Sequence, residues 1–254
     1  VSAAQEEYIL LLNSANFGEA WSDVILQSLV EGISRQGVAV KTDILQVPKM
    51  RTLEDAQARR AMLLEKYPDN PRAVVFIGDP GWLALRPLFD AEWKEVPTLI
   101  LYSRDRMPVR TEDLLSGTLN DRTLRPAAQV TEGYNLTVLR QPSYVRETVA
   151  AMQRLLPRMK RVAFISDHRY ISLRVREEVE KTLREHFPEL KLELLSTPEL
   201  STEELLDKLS EYDDTVGLIY YSWFVTGSRS QQSYLDDNIQ KVLFAFTRTP
   251  VFSI

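Results

Sequence analysis

The chain has 254 residues, is 44% hydrophobic and 26% charged, and carries a formal net charge of −5. That length suffices to bury one large core or two smaller ones, and the acidic balance gives no support for a nucleic-acid partner, which favours a basic face. Cysteine is absent, so disulfides, thiolate metal sites and cysteine nucleophiles are excluded.

The opening, "VSAAQEEYILLL", lacks an initiator methionine, as after processing or trimming of an exported protein. No apolar run approaches the roughly 20 residues that span a membrane. Any contact with a membrane is therefore expected only through regions outside this chain.

Strand and helix patterns then alternate. "YILLLNS" (Tyr8–Ser14) reads as a buried strand, and the apolar positions from Trp21 to Ile33 recur at helical spacing. Val38–Val47 alternates like a strand, and a helix beginning at Thr52 or Asp55 stops near "YPDNP". Arg72–Asp79 is a third strand, Trp82–Lys94 a helix, and Pro97–Ser103 a fourth strand. Residues Arg104 to Gln141 are irregular apart from the β-like "YNLTVLRQP", and form a candidate domain junction. Beyond it, Tyr144–Leu156 is helical and Arg161–Asp167 a strand. Ile171, Val175, Val179, Leu183 and Phe187 mark a helix at steps of four. Leu190–Ser196 is a strand, Ser201 with Glu204 forms a capping box, "VGLIYYS" is a strand, and Leu235 to Phe246 is a last helix before "PVFSI". Strands alternating with helices predict an α/β chain of two Rossmann-like lobes with parallel sheets. The expected division is 1–129 for the first lobe, irregular from about 104, and 130–254 for the crossover and second lobe.

In open α/β sheets, ligands sit beyond the carboxyl ends of strands. Those ends read "NSANFGEAW", "GDPGW", "SRDR", "SDHRY" and "SWFVTGSRS". They combine aromatics with small polar groups and arginines, which suits a small ligand held by stacking and hydrogen bonds. The same polar residues also suit helix caps, which every strand-to-helix turn needs. The candidate ligand contacts are Asn13, Asn16, Phe17, Asp79, Trp82 and Ser103 in the first lobe, and Asp167, Arg169, Tyr170, Ser222, Trp223 and Arg229 in the second. The aromatics would stack, and Arg169 and Arg229 would take a carboxylate or phosphate of an anionic ligand.

Enzyme signatures are missing. There is no GxGxxG, no P-loop and no GxSxG elbow. A phospho-receiver domain would need acids where Asn13 and Ser14 stand. With two histidines, His168 and His186, and no cysteine, a zinc site is not expected. Asp79 and Asp167 fall in different halves, so they pair as acid and base only if the halves close on each other. No cofactor, metal or catalytic residue is assigned.

From Val130 to Asp167 the sequence "VTEGYNLTVLRQPSYVRETVAAMQRLLPRMKRVAFISD" resembles the crossover of type I periplasmic-binding-protein-like sensor domains. In these a "VTG" strand leads to a helix, an "LxPxxKRV" turn and the first strand of the second lobe. Val130, Thr131, Leu156, Pro157, Lys160, Arg161 and Val162 match, while the glycine is displaced to Gly133, behind Glu132. The later segment is similar to the strand, "D-x-x-G" loop, helix and "PV[FY]" strand of the same lobe, through Gly227, Pro250, Val251 and Phe252. The acid of that loop has no counterpart here. The second half carries the likeness well, the first only by element order.

The resemblance implies a periplasmic or other extracytoplasmic domain, tethered to the inner membrane in a longer protein, that senses a small molecule for a two-component sensor histidine kinase. Ligand between two lobes would signal by lobe closure. It also implies that a chain of this kind continues past Ile254, so a fragment is expected, which favours the receptor over the alternative, a solute-binding protein of an ABC importer. Left open are an α/β enzyme acting on a sugar phosphate or nucleotide, and a domain that chiefly dimerises or binds a partner protein. Besides the unidentified small molecule, a second copy of the chain (a homodimer) is kept as a partner.

Overall fold

A computed structural model describes residues 7–16, 20–117, 119–120, 122–197, 199–223 and 236–254. It divides into two compact units, Val1–Pro142 and Ser143–Ile254.

The first unit is built on β1 (Tyr8–Asn13), α1 (Ala20–Ser34), β2 (Ala39–Ile44), α2 (Leu53–Lys66), β3 (Ala73–Ile77), α3 (Asp79–Asp90) and β4 (Thr98–Ser103). The expected irregular segment holds β5 (Arg106–Pro108), α4 (Thr111–Ser116), β6 (Leu124–Pro126), α5 (Ala127–Val130) and β7 (Leu136–Arg140). The five-stranded sheet has the order β2-β1-β3-β4-β7, and all its pairs are parallel. β5 and β6 form a separate antiparallel ribbon. Leu10, Leu11 and Leu12 of β1 have no exposed surface, as expected of a strand covered on both faces.

Three sequence expectations shift here. The segment from 130 to 142 belongs with the first unit, because β7 completes its sheet beside β4. Val130 ends a helical turn rather than lying in a strand, and the strand follows at Leu136–Arg140. α3 begins at Asp79, not Trp82. Gly78, at φ +88, turns the chain, and Pro80 in the first helical turn costs no hydrogen bond there.

The second unit comprises α6 (Val145–Leu155), β8 (Arg161–Ser166), α7 (Tyr170–His186), β9 (Lys191–Ser196), α8 (Thr202–Glu211), β10 (Val216–Tyr220), α9 (Asp236–Phe246) and β11 (Val251–Ser253). Its four strands run parallel in the order β11-β10-β8-β9. The period-two alternation of side chains explains its two cores. Val162, Phe164 and Ile219 point to one face, where they pack with Val149 and Met152 of α6 and Val175, Val179 and Leu183 of α7. Ala163, Ile165, Leu218 and Tyr220 point to the other, with Leu205 and Leu209 of α8 and Leu243 of α9. The capping box read at Ser201 and Glu204 is present, and a second one closes Thr52 with Asp55 at the start of α2. Among the described residues, no helix is long and apolar enough to cross a membrane.

Candidate functional site

Each sheet has one point where successive connections leave in opposite directions. In the first unit β1 lies between β2 and β3, and in the second β8 lies between β9 and β10. A crevice opens beyond the carboxyl ends of the strands at such a point. The loops involved follow β1 and β3 in one unit, and β8 and β10 in the other.

In the first unit, fully buried Asn13 closes a tight Asx turn. Its Oδ1 accepts from the Ala15 N–H at 3.0 Å, and its Nδ2 donates to Ser22 Oγ on α1 at 3.0 Å. Ser14 ties the two strand ends together. Its backbone N–H donates to the Ile77 carbonyl at 3.1 Å, and its hydroxyl donates to the Gly78 carbonyl at 2.8 Å. The same oxygen accepts from the Gly81 N–H at 2.9 Å, satisfying one of the N–H groups left open at the start of α3. Gly81 is needed for this approach, since a Cβ there would stand 2.6 Å from Ser14 Oγ and 2.8 Å from Leu45 Cδ1. Buried Ser103 offers one proton to two acceptors, Asp79 Oδ2 at 3.2 Å and the Arg104 carbonyl at 3.1 Å. Asn16, two residues past Ser14, is half-buried.

The second unit repeats the device. Asp167 Oδ1 accepts from the Arg169 N–H at 2.9 Å, again an Asx turn, and from Ser172 Oγ of α7 at 2.6 Å. Its Oδ2 takes Arg169 Nε at 3.0 Å and Nη2 at 2.9 Å. Burial alone would raise the Asp167 pKa. The Arg169 guanidinium beside it, with the hydrogen bonds from Arg169 and Ser172, outweighs burial and holds it below the ordinary carboxylate range. Ser172 Oγ also meets Ser222 Oγ, beyond β10, at 2.9 Å. The proton of Ser172 is committed to the carboxylate, so Ser222 donates to Ser172, and a directed chain runs Ser222 to Ser172 to Asp167. His168 Nδ1 lies 3.3 Å from Thr197 Oγ1, and Tyr170 opens α7 half-buried.

These placements change several expected roles. Arg169, expected to grip an anion, directs Nε and Nη2 at Asp167 instead. Trp82 and Trp223, expected to stack on ligand, belong to the packing. Trp82 has no exposed surface and meets Tyr134 edge-on at 5.2 Å. Burial, with a hydrogen bond to Asp90, pushes the Tyr134 phenol up to about 12. Trp223 lies in the core that β10 shares with α8 and α9, its Nε1–H donating to Thr202 Oγ1 at 3.1 Å. Indoles so placed fill volume beneath a site. Phe17 and Arg229 lie outside the described residues.

Ser14, Ser22 and Ser172 were not among the sequence candidates, although they tie these loops together. A serine in a turn or on a helix leaves no distinctive pattern in the sequence. Two aromatics were also missed. Trp21, in the first turn of α1, is 49% exposed and meets Tyr102 of β4, 39% exposed, edge-on with centroids 6.2 Å apart. In the sequence both read as ordinary positions of an apolar helix and strand. Among the described residues, no group of three or more His, Cys, Asp or Glu is placed to hold a metal ion.

The strand orders, with a switch point in each sheet, can be set beside known structures. The chain covers 98% of itself and 74% of the sugar-binding protein of a sugar ABC transporter from Bacillus halodurans, at 13% identity and TM-score 0.59. The fold is that of the type I periplasmic binding proteins. A Streptococcus domain solved in complex with L-Trp is similar over 98% of this chain and 74% of its own, at 14% identity and TM-score 0.56. A leucine-binding protein from Thermotoga maritima matches 97% of this chain and 63% of its own, at 12% identity and TM-score 0.59. No family model and no curated protein matches the sequence. At these identities the likeness establishes the fold.

Proposed function

We propose that the chain binds a small molecule through the loops at the carboxyl ends of its two sheets, and that it is the extracytoplasmic sensing domain of a two-component sensor kinase. The observation that carries the binding reading is the repeated device. Each unit fixes the first loop at its crevice with a buried Asx turn tied to a helix serine, Asn13 with Ser22 and Asp167 with Ser172. Buried polar groups so arranged hold loop backbone in one geometry, as a binding surface requires. The names of the similar structures, binding proteins for sugars and amino acids, support the same reading. The sensor role rests on the crossover resemblance at Val130–Asp167. Signalling would follow from a ligand having higher affinity for one conformational state.

Thermal unfolding in the presence of individual sugars and amino acids tests the binding reading. A ligand at about 100 times its Kd adds about 2.7 kcal/mol. For a chain of this size, that is a rise of roughly 5–10 °C. No rise with any sugar, amino acid or other small metabolite would count against it. The solute-importer reading is supported equally by the similar structures. The gene decides between the two: a membrane helix and kinase core in the same protein support sensing, and a neighbouring permease supports transport.

A further inference from the structure

α3 carries a proline in its interior, Pro87. An α-helical carbonyl accepts from the N–H four residues on, and proline has none, so the Leu83 carbonyl loses its helical donor. The proline ring also crowds that carbonyl and bends the helix there. Leu83 and Ala84 are buried, where a carbonyl left open costs stability.

Two side chains from outside the helix meet this need. The Thr111 hydroxyl, at the start of α4, donates to the Leu83 carbonyl at 3.0 Å. The Arg60 guanidinium, in the middle of α2, donates through Nη1 to the next carbonyl, that of Ala84, also at 3.0 Å. Both donors are drawn out of water to do so. Thr111 is 7% exposed. Arg60 is half-buried, burial pushes its pKa down, and among the described residues no carboxylate pairs with it. A hydroxyl and a charge directed at adjacent carbonyls thus hold the kink from two sides.

The kink governs the first turn of α3. There Asp79 accepts from Ser103 at 3.2 Å, and the Gly81 N–H donates to Ser14 at 2.9 Å. This turn therefore carries the loop that follows β3 at the first crevice. Left unclamped, a helix bent at proline can pivot as a hinge between its two parts.

We propose that Thr111 and Arg60 are positioning residues that clamp the Pro87 kink and so fix the direction of the first turn of α3. The clamp gives the segment β5–α4–β6, which stands outside the five-stranded sheet, a part in binding. This rests on the small-molecule reading above and adds what holds the geometry of its first crevice.

Thr111→Val removes the donor and nearly keeps the shape, and Thr111→Ser restores the donor. Arg60→Met removes the guanidinium from the other side. Backbone amide spectra of the labelled chain are compared with those of the parent. Thr111→Val and Arg60→Met should displace signals at 79–82, and Thr111→Ser should leave them at the parent positions. The amides of 83–86 donate into that turn, and their hydrogen exchange should quicken about tenfold in Thr111→Val. Binding is read by titrating D-glucose, L-arabinose, L-leucine and L-tryptophan. If the unclamped turn keeps the parent geometry about one-tenth of the time, a probe that binds the parent binds Thr111→Val about tenfold more weakly, and Thr111→Ser normally. Unmoved signals at 79–82 in both Thr111→Val and Arg60→Met, or a bound probe held by both with parent affinity, would overturn the clamp even if the variants melt lower, and would leave small-molecule binding standing. Signals displaced by Thr111→Val and kept by Thr111→Ser, in a parent that binds none of the four probes, would uphold the clamp and count against the binding reading instead.

Discussion

Replacing Ser172 by alanine tests the polar chain at the second crevice. Ser172 has no exposed surface, donates to Asp167 Oδ1 at 2.6 Å and accepts from Ser222 Oγ at 2.9 Å. A hydrogen bond to a charged group contributes about 1.5–3 kcal/mol, and leaving the buried Ser222 hydroxyl without its acceptor costs about 1 kcal/mol more. Ser172→Ala should therefore destabilise the second unit by about 3 kcal/mol, and Ser222→Ala, which removes the neutral link alone, by about 1 kcal/mol. The double variant should cost less than the sum, because Ser222 can no longer be stranded. With two units, a single global unfolding transition is not assured. The suitable assay is hydrogen exchange of peptides covering β8 and β10, which reads the local opening free energy. The effect should also depend on pH. Asp167 has a folded pKa below its unfolded value. Its ionisation thus contributes stability that is fully present above the unfolded pKa of about 3.9, and is lost as pH falls through the depressed folded value. Ser172→Ala raises the folded value toward the unfolded one, so the gap between parent and variant is widest at neutral pH and closes in acid. A loss below about 0.5 kcal/mol at pH 7, or strict additivity with Ser222→Ala, would refute the directed chain.

Other variants follow from local geometry. Gly81→Ala places a Cβ 2.6 Å from Ser14 Oγ, within the network that joins β1 to α3, and should cost about 1–3 kcal/mol by urea unfolding of the first unit. Gly217→Ala directs its Cβ at the flexible thioether atoms of Met152 and Met159, which can swing aside, so it should cost less than Gly81→Ala. Ser201→Ala removes the cap of α8 and should cost about 1 kcal/mol, seen as faster exchange in residues 202–205 with little change elsewhere.

The alternation of strands and helices was legible because buried parallel strands are continuous apolar runs bounded by turn residues. "YILLLN" and "VAFIS" could be read at sight, and the capping box at Ser201 marks a helix start by itself. β7 was harder to place. Its "LTVLR" is short and half exposed, at the sheet's edge, so nothing in its pattern says which half it joins. The sequence pattern places the start of α3 late, since Gly78, Asp79 and Pro80 look like a turn and are also the ordinary opening of a helix. At the candidate site, the sequence marks the loops that follow the strands, because strand ends are visible. It could not tell which side chains face outward. Asn13 and Asp167 look like ligand contacts, yet Oδ1 of each accepts from the backbone N–H two residues on and closes the turn, a role that the residue type alone does not reveal. Tyr102 is exposed through a bulge, a backbone feature without a sequence mark when glycine is absent.

The central claim is that small molecules bind at the carboxyl ends of the two sheets. Backbone amide shifts of the labelled chain, titrated with sugars and amino acids, test it most directly. The account predicts shifts concentrated at 13–16, 78–82, 102–105, 166–170 and 221–223. Shifts confined to the opposite ends of the strands, such as 210–215 and 248–250, or no shift with any ligand, would contradict it.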